Sequence, residues 1–127
     1  MKARPSPPVD HDRSDCPLAC ALDLLGDRWT LIVVRDLLRG HRRFGDFLAS
    51  PEGIPTNILA ERLKRLEQAE LLAKTVYQEN PVRHEYAPTA KCRDLKPILV
   101  AAAQWGNKYI PGTRTDWPGA QPQAAAR

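Results

Sequence analysis

The chain has 127 residues, 43% of them hydrophobic and 27% charged, and a formal net charge of +4 at pH 7. This length suits one domain that buries its own core, and the composition is that of an ordinary globular protein. Residues 1–15 lack the apolar segment of a secretion signal, no apolar run is long enough to span a membrane, and three cysteines do not suit a disulfide framework. We therefore expect a protein of the reducing cytoplasm without a membrane partner.

Basic side chains are concentrated in one part of the chain. From Arg28 to Arg65 there are eight Lys and Arg residues against four Asp and Glu, an excess that equals the net charge of the whole molecule. A local excess of positive charge indicates a polyanionic partner. A solvated helical surface would carry the same charge, so charge alone does not separate the two.

Apolar side chains at helical spacing predict three helices in the first part of the chain. The first covers Pro17–Leu25. The second covers Arg28–Arg39, with Asp27 as its cap and Gly40 as its stop. A short third helix covers Arg42–Ala49 and is followed by a turn.

A fourth helix is predicted over about residues 56–69. Leu59, Leu63 and Leu66 share one face and should pack into the core. The outer face carries Asn57, Glu61, Lys64 and Gln68, with Ala60 and Arg65 beside them. Short polar side chains at the start of a helix and cations further along are typical of a helix that lies in the DNA major groove.

After the fourth helix, the spacing of the apolar residues is no longer helical. Strand-forming residues predict a hairpin over about 71–87, with strands Leu71–Gln78 and His84–Ala87. Thr89 can then cap a last helix that reaches Lys108 or Tyr109, and Pro97 predicts a kink or a break inside it.

This order predicts a mainly α fold with a small β-hairpin, the layout of a winged helix-turn-helix domain. We place the domain at residues 16–110, between a disordered arm (1–15) and a flexible tail (111–127). The last helix has more apolar surface than so small a domain can bury, which favours a homodimer. The expected interface lies on the N- and C-terminal helices and comprises Leu18, Leu22, Leu99, Ala102, Trp105 and Tyr109.

Residues 16–110 also resemble a known family, the HxlR-type winged helix-turn-helix regulators. The resembling segments are Cys16-Pro17 leading into Ala21–Trp29, Arg43–Phe47, Gly53-Ile54 leading into Leu63–Glu67, Arg83–Tyr86 with Thr89, and Trp105-Gly106. The resemblance implies a homodimeric bacterial DNA-binding regulator, commonly a repressor, dimerised through its terminal helices. Several members use the cysteine that matches Cys16 to sense electrophiles or oxidants.

The chain departs from the family pattern at two positions. Members often carry Ser where this chain has Pro55, so the usual cap of the fourth helix is missing. Thr56 could cap one residue later, or Pro55 could occupy the first turn. Members also tend to carry Gly where this chain has Cys92, which alters the turn into the last helix.

The candidate DNA contacts divide by chemistry. On the fourth helix, Thr56 and Asn57 lie at the end that usually faces base edges, and Glu61 could accept from a cytosine amino group or repel phosphate. Phosphate contacts are expected from Lys64 and Arg65, and from Arg42 and Arg43 at the start of the third helix. On the hairpin, Arg83 and His84 are expected to border the minor groove. Alternatively, Arg83 is an exposed arginine paired with Glu79 or Glu85.

The cysteines allow a sensory role. Cys16 precedes Pro17 at the start of the first helix, where the helix dipole favours a thiolate. The sequence favours neither a sensing nor an inert role for Cys16. Cys20 and Cys92 are expected to be small buried apolar residues. The three histidines show no ligand spacing, so we expect neither a metal nor a cofactor.

The sequence predicts a nucleoid-associated transcriptional regulator that binds a pseudo-palindromic operator as a homodimer, acts as a repressor, and responds to modification of the Cys16 thiol by an electrophile or to a small ligand. A winged helix can instead be a protein-interaction module without DNA readout. A thiol oxidoreductase that uses Cys16 and Cys20 is disfavoured, because redox pairs usually show Cys-x-x-Cys beside a βαβ pattern.

Overall fold

The computed structural model describes residues 13–114, and within them the chain forms six α-helices and one antiparallel hairpin. The elements in chain order are α1 (Pro17–Leu25), α2 (Thr30–Leu38), α3 (Phe44–Leu48), α4 (Thr56–Gln68), β1 (Leu72–Glu79), β2 (Val82–Pro88), α5 (Ala90–Arg93) and α6 (Lys96–Tyr109). The described residues fall into two compact units that divide between Arg93 and Asp94, so α6 is described by itself. The predicted disordered arm and flexible tail lie mostly outside the described residues.

The mainly α fold with a hairpin is confirmed. Helices α2, α3 and α4 precede the hairpin β1–β2, which is the winged helix-turn-helix order. The first helix has the predicted bounds, whereas α2 and α3 begin two residues later than predicted. Asp27, predicted as the cap of α2, lies two residues before the observed cap position, Trp29. Its carboxylate still accepts the backbone N–H groups of Trp29 and Thr30 at 2.8 Å each and closes the turn into the helix.

Helix α4 begins at Thr56, and Pro55 itself occupies the cap position with φ −62° and ψ 145°. Both predicted alternatives, a Thr56 cap and Pro55 inside the first turn, are therefore wrong. A proline fits the cap because its ring allows this extended conformation and its missing N–H has no role there. The helix ends without glycine: Glu70 adopts a left-handed φ of 63°, and the Leu71 N–H donates to the Leu66 carbonyl at 2.8 Å.

The last predicted helix is broken, as Pro97 indicated, but the break precedes the proline. Helix α5 ends at Arg93, and α6 begins at Lys96 with Pro97 in its first turn, where a missing N–H costs nothing. Thr89 caps α5 as predicted, because its hydroxyl accepts the Cys92 N–H at 3.2 Å. The side chain of Cys92 is fully buried.

The core of the first unit lies between α4 and its neighbours. Leu59, Leu63 and Leu66 are each 3% exposed or less, so the predicted apolar face of α4 is confirmed. They are buried together with Val34 and Leu37 of α2, Phe47 of α3, and Leu71 and Leu72 at the start of the hairpin. Burial of this face fixes which side of α4 remains exposed.

The turn before α4 is linked to α2 by charged groups. Arg35 of α2 makes a two-pronged ion pair with Glu52, at 2.7 and 2.8 Å, and its guanidinium holds the pKa of Glu52 below its usual value. Beside it, the buried Asp36 carboxylate contacts Arg35 at 2.9 Å and accepts the Ser50 hydroxyl at 2.5 Å. These contacts fix the turn at residues 50–53 against the end of α2.

Asp27 links the other end of α2 to the second half of α4. Besides the two N–H groups, its carboxylate accepts the Thr30 hydroxyl at 2.6 Å and pairs with Arg62 at 3.2 Å and Arg65 at 3.4 Å. Partial burial would raise the pKa of Asp27, but the hydrogen bonds from Thr30 and Trp29 and the charge of Arg62 outweigh it and lower that pKa. The charged form is therefore the one that stabilises the fold.

We expect Asp27→Asn to lower the free energy of unfolding at pH 7 by about 1–3 kcal/mol, because the charged acceptor is lost. Since the folded pKa lies below the unfolded value of about 3.9, the contribution of Asp27 is present above that pH and disappears as the pH falls through the folded pKa. The difference between wild type and Asp27→Asn in urea unfolding should therefore shrink below about pH 4.

The matched control is Asp94→Asn, because Asp94 is exposed. Its effect should stay within about 0.5 kcal/mol at both pH values. A loss in Asp27→Asn that is equal at pH 7 and pH 3 would contradict the role assigned to the charge.

Candidate nucleic-acid interface

The outer face of α4 is a continuous exposed surface. Burial of the leucine face leaves it open, and its six exposed residues are Thr56, Asn57, Ala60, Glu61, Lys64 and Gln68. Small polar groups occupy the N-terminal end of this surface, and a cation follows two turns later. Such a surface offers both hydrogen-bond donors and hydrogen-bond acceptors, and no bulky side chain covers them.

The side chain of Arg65, which the sequence places beside the outer face of α4, points towards the end of α1 instead. Its Nη2 donates to the carbonyl oxygens of Asp23 and Leu24, both at 3.1 Å, and its Nη1 lies 3.4 Å from Asp27. The guanidinium thus satisfies carbonyls at the end of α1, a common role for a basic side chain near a helix C-terminus. The expectation that Arg65 lies free for a phosphate is corrected, since its long stem reaches acceptors on another helix.

Arg62, which sequence reasoning did not single out, has a similar place. Its guanidinium pairs with Asp27 and also contacts the neighbouring Glu61. Glu61 is exposed on the outer face of α4, but its carboxylate already has a cationic partner. Because that partner reduces its effective negative charge, Glu61 repels a polyanion less than an isolated carboxylate would.

The two arginines before α3 differ in their surroundings. Arg42 donates from Nη1 to the carbonyl oxygens of Leu37 and His41, at 3.0 Å each, so it completes the end of α2 and is not a free cation. The side chain of Arg43 is 52% exposed and faces the hairpin, where it pairs with Glu85 at 3.0 Å. Of the two predicted phosphate contacts, only Arg43 presents its guanidinium at the surface.

The hairpin places one cation at the surface without an ion pair among the described residues. Arg83 is exposed and lies opposite Gln78. Of the two acidic residues proposed as its partner, Glu79 and Glu85, the second pairs with Arg43 instead. His84 is half-buried opposite Val76. The alternative in which Arg83 pairs with Glu79 or Glu85 is therefore not what the structure shows within residues 13–114.

Two adjoining clefts bring these residues together around Phe44 and Tyr86, which line both. One, of about 260 Å³, lies between the start of α3 and the hairpin and is lined by Arg43, Tyr77, Val82, Arg83 and His84. The other, of about 240 Å³, lies between α4 and the hairpin and is lined by Ala60, Leu63, Lys64, Glu67 and Lys74. We call the two together the helix–wing groove. Lys74 and Tyr77 were missed from sequence, because strand alternation does not show which residues face a neighbouring helix.

The three cysteines differ in exposure. Cys16 is exposed at the cap of α1, and the backbone N–H groups of Ala19 and Leu18, with a smaller effect of Arg13, lower its pKa. Cys20 is half-buried, and its Sγ donates to the Ser14 carbonyl at 3.4 Å. Burial raises the pKa of Cys92 to about 11, as expected of an inert apolar residue.

Each terminal helix carries exposed apolar side chains. On α1, Leu18 and Leu22 are 66% and 50% exposed. On α6, Trp105 and Tyr109 are 62% and 58% exposed and pack ring against ring at 5.4 Å, and Ala102 on the same face is exposed too. Leu99, also predicted for an interface, is only 8% exposed, so it does not belong to this exposed apolar face.

Among residues 13–114, no group of three or more His, Cys, Asp or Glu side chains could hold a metal ion. None of the helices described there is long and apolar enough to cross a bilayer.

Comparison with known proteins agrees with this architecture. The family model of HxlR-like helix-turn-helix proteins matches residues 24–114. The HTH-type transcriptional regulator Rv3095 of Mycobacterium tuberculosis is 44% identical over 91 residues, which cover 72% of this chain and 57% of the relative. The chain thus spans little more than half the length of this relative.

Two solved structures are similar as well. The crystal structure of PA1607, a putative transcription factor, has a TM-score of 0.70 and 40% identity, covering 82% of this chain and 73% of that one. The redox regulator HypR in its reduced form has a TM-score of 0.66 and 30% identity, covering 72% of this chain and 90% of that one. The family match, which begins after Cys16, covers more than two thirds of the sequence. The chain belongs to the HxlR-like helix-turn-helix family.

Proposed function

We propose that the chain is a transcriptional regulator, acting as a repressor, that binds a pseudo-palindromic DNA operator as a homodimer. The observation that carries the proposal is the exposed face of α4 beside the helix–wing groove, which collects the cations of three elements. A helix with a polar outer face fits the width of the major groove, and the adjacent hairpin can follow the DNA backbone. Membership of the family and the names of its relatives support the same role.

The residues of α4 divide between sequence readout and affinity. Thr56 and Asn57 stand at its exposed N-terminal end, where Asn can bond bidentately to adenine. Ala60 offers a methyl group of the size that contacts thymine, and Glu61 can accept from a cytosine amino group. Lys64 lies further along the helix, where a cation contacts phosphate and carries no sequence information.

The remaining affinity for DNA is assigned to the hairpin β1–β2 and to the start of α3. Arg43, Arg83 and His84 line the same cleft, and two of them are exposed. Arg42 and Arg65 act indirectly, since their guanidinium groups hold the ends of α2 and α1. We therefore assign direct phosphate contacts to Arg43, Lys64 and Arg83.

The apolar faces of the terminal helices support the homodimer in this proposal. The exposed Leu18 and Leu22 on α1, and Trp105 and Tyr109 on α6, are large side chains that a second copy of the chain would cover. In such a dimer the two α4 helices would enter major grooves about one helical turn apart. An effector, either a small ligand or a thiol reaction at Cys16, would act by changing the angle between the two α4 helices.

The phosphate contacts can be tested with Lys64→Ala and Arg83→Ala. We expect each to weaken binding of the operator and of unrelated duplexes by similar factors and to reduce the slope of log affinity against log salt by about 1. The operator is first obtained by selecting bound duplexes from a random pool, and affinity is then measured by titration at several salt concentrations.

Lys96→Ala is the matched control, because Lys96 is an exposed cation at the start of α6, outside the proposed surface. It should leave the affinity and the salt slope nearly unchanged. If wild type itself shows no salt-dependent duplex binding, the proposed function fails, and the alternative of a protein-interaction module without DNA readout is favoured.

Base readout can be tested with Asn57→Ala. We expect an operator affinity about 5-fold to 150-fold lower, corresponding to roughly 1–3 kcal/mol for a bidentate base contact. Binding to unrelated duplexes should change little, so the discrimination at one base pair of the operator is lost. A uniform loss on all duplexes would instead assign Asn57 to the backbone or to folding.

The sensory role of Cys16 can be tested with a thiol oxidant. Because its pKa is lowered and it is exposed, Cys16 should react before Cys20 and Cys92. We expect diamide to lower the operator affinity of wild type and of Cys20→Ser, but not that of Cys16→Ser. Equal responses of wild type and Cys16→Ser would remove Cys16 from the mechanism.

A further inference from the structure

The Arg43 guanidinium is held from two sides by the hairpin. Its Nε and Nη2 both lie 3.0 Å from Oε2 of Glu85, and its Cζ lies 3.7 Å above the ring centroid of Tyr77. The carboxylate occupies an edge of the planar cation and the ring covers one face. This arrangement fixes the guanidinium in the cleft that also contains Arg83 and His84.

The place of the Tyr77 ring follows from an irregularity in the hairpin. Val76 pairs with His84 and Gln78 pairs with Arg83, so Tyr77 is an extra residue in β1 without a partner on β2. A bulge of this kind redirects the side chain of the extra residue. It lets Tyr77 lie beneath Arg43 while Glu85, opposite Thr75, reaches the same cation from the other strand.

The ion pair is not what attaches the hairpin to α3. The Tyr86 N–H donates to the Arg42 carbonyl at 2.7 Å, and the Tyr86 ring packs edge-on against Phe47. By contrast, the side chains of Arg43 and Glu85 are 52% and 37% exposed, and exposed ion pairs contribute little to stability. The contact between them can therefore be exchanged for another anion without loss of the fold.

Resting on the proposed DNA-binding function, we infer that Glu85 occupies the place of a DNA backbone phosphate at Arg43 and is displaced by that phosphate on binding. A carboxylate and a phosphate present oxygens to the same N–H edge of arginine. Tyr77 keeps the guanidinium in place during the exchange, and Arg83 on the same cleft adds a second cation for the incoming group. Glu85 therefore acts as a built-in competitor that lowers the affinity for every duplex.

The test is a double-mutant cycle on the full chain with Glu85→Gln and Arg43→Gln. We expect Glu85→Gln to bind both the selected operator and a scrambled duplex about 2-fold to 5-fold more tightly per domain. In wild type, DNA binding must break an exposed ion pair that contributes up to about 1 kcal/mol, and this variant removes that cost. Arg43→Gln should weaken both duplexes, and adding Glu85→Gln to it should bring back little of the loss.

Glu79→Gln is the matched control, because it removes the same charge from an exposed position of the same hairpin. Its effect measures the general benefit of one fewer negative charge near DNA, and it should be the same in the presence and absence of Arg43. Urea unfolding of each variant, with Glu85→Ala as a second substitution, verifies that the fold is retained.

Two outcomes would overturn the inference. Weaker DNA binding by folded Glu85→Gln and Glu85→Ala would show that the ion pair positions the hairpin for binding. Equal gains from Glu85→Gln and Glu79→Gln in both backgrounds would show a general charge effect without exchange at Arg43. Failure of the proposed function is distinct, because wild type would then not bind duplex DNA even at low salt.

Discussion

The position of α4 depends on the carboxylate of Asp27. This group lies in the turn between α1 and α2, yet its partners include Arg62 and Arg65 in the second half of α4. Because Arg65 also donates to carbonyls at the end of α1, three helices meet at one cluster of charges. Leucines set which face of α4 is buried, and this cluster sets its rotation and depth against the other helices.

The sequence predicts the helical part of this fold well, because apolar periodicity and caps act over a few residues. The bounds of α1, the leucine face of α4 and the Thr89 cap were all predicted from such local patterns. The end of α4 was harder to define, since Glu70 adopts the left-handed conformation that a glycine usually signals. The turn before α4 was located correctly, but its attachment to α2 through Arg35 and Glu52 spans 17 residues and leaves no local signal.

The candidate site was predicted less completely, and the reason is the length of arginine side chains. A helical wheel gives the direction of the Cα–Cβ bond, which suffices for Asn57 and Ala60 but not for a side chain that can reach another element. Arg42 and Arg65 were expected at the surface and instead complete helix ends, while Arg43 remains exposed. The bulge at Tyr77 escapes prediction for a related reason, since strict alternation assumes a regular ladder.

The two attachments of α4 have a mechanical consequence. The turn before it is fixed to the end of α2 through Arg35, Asp36 and Ser50, and its second half is fixed to the start of α2 through Asp27. Because α4 is attached near both of its ends to the same neighbour, it cannot shift independently of α2, and we expect the two helices to move together. A displacement of α1, whose last carbonyl groups accept hydrogen bonds from Arg65, would therefore shift α2 and α4 as one unit.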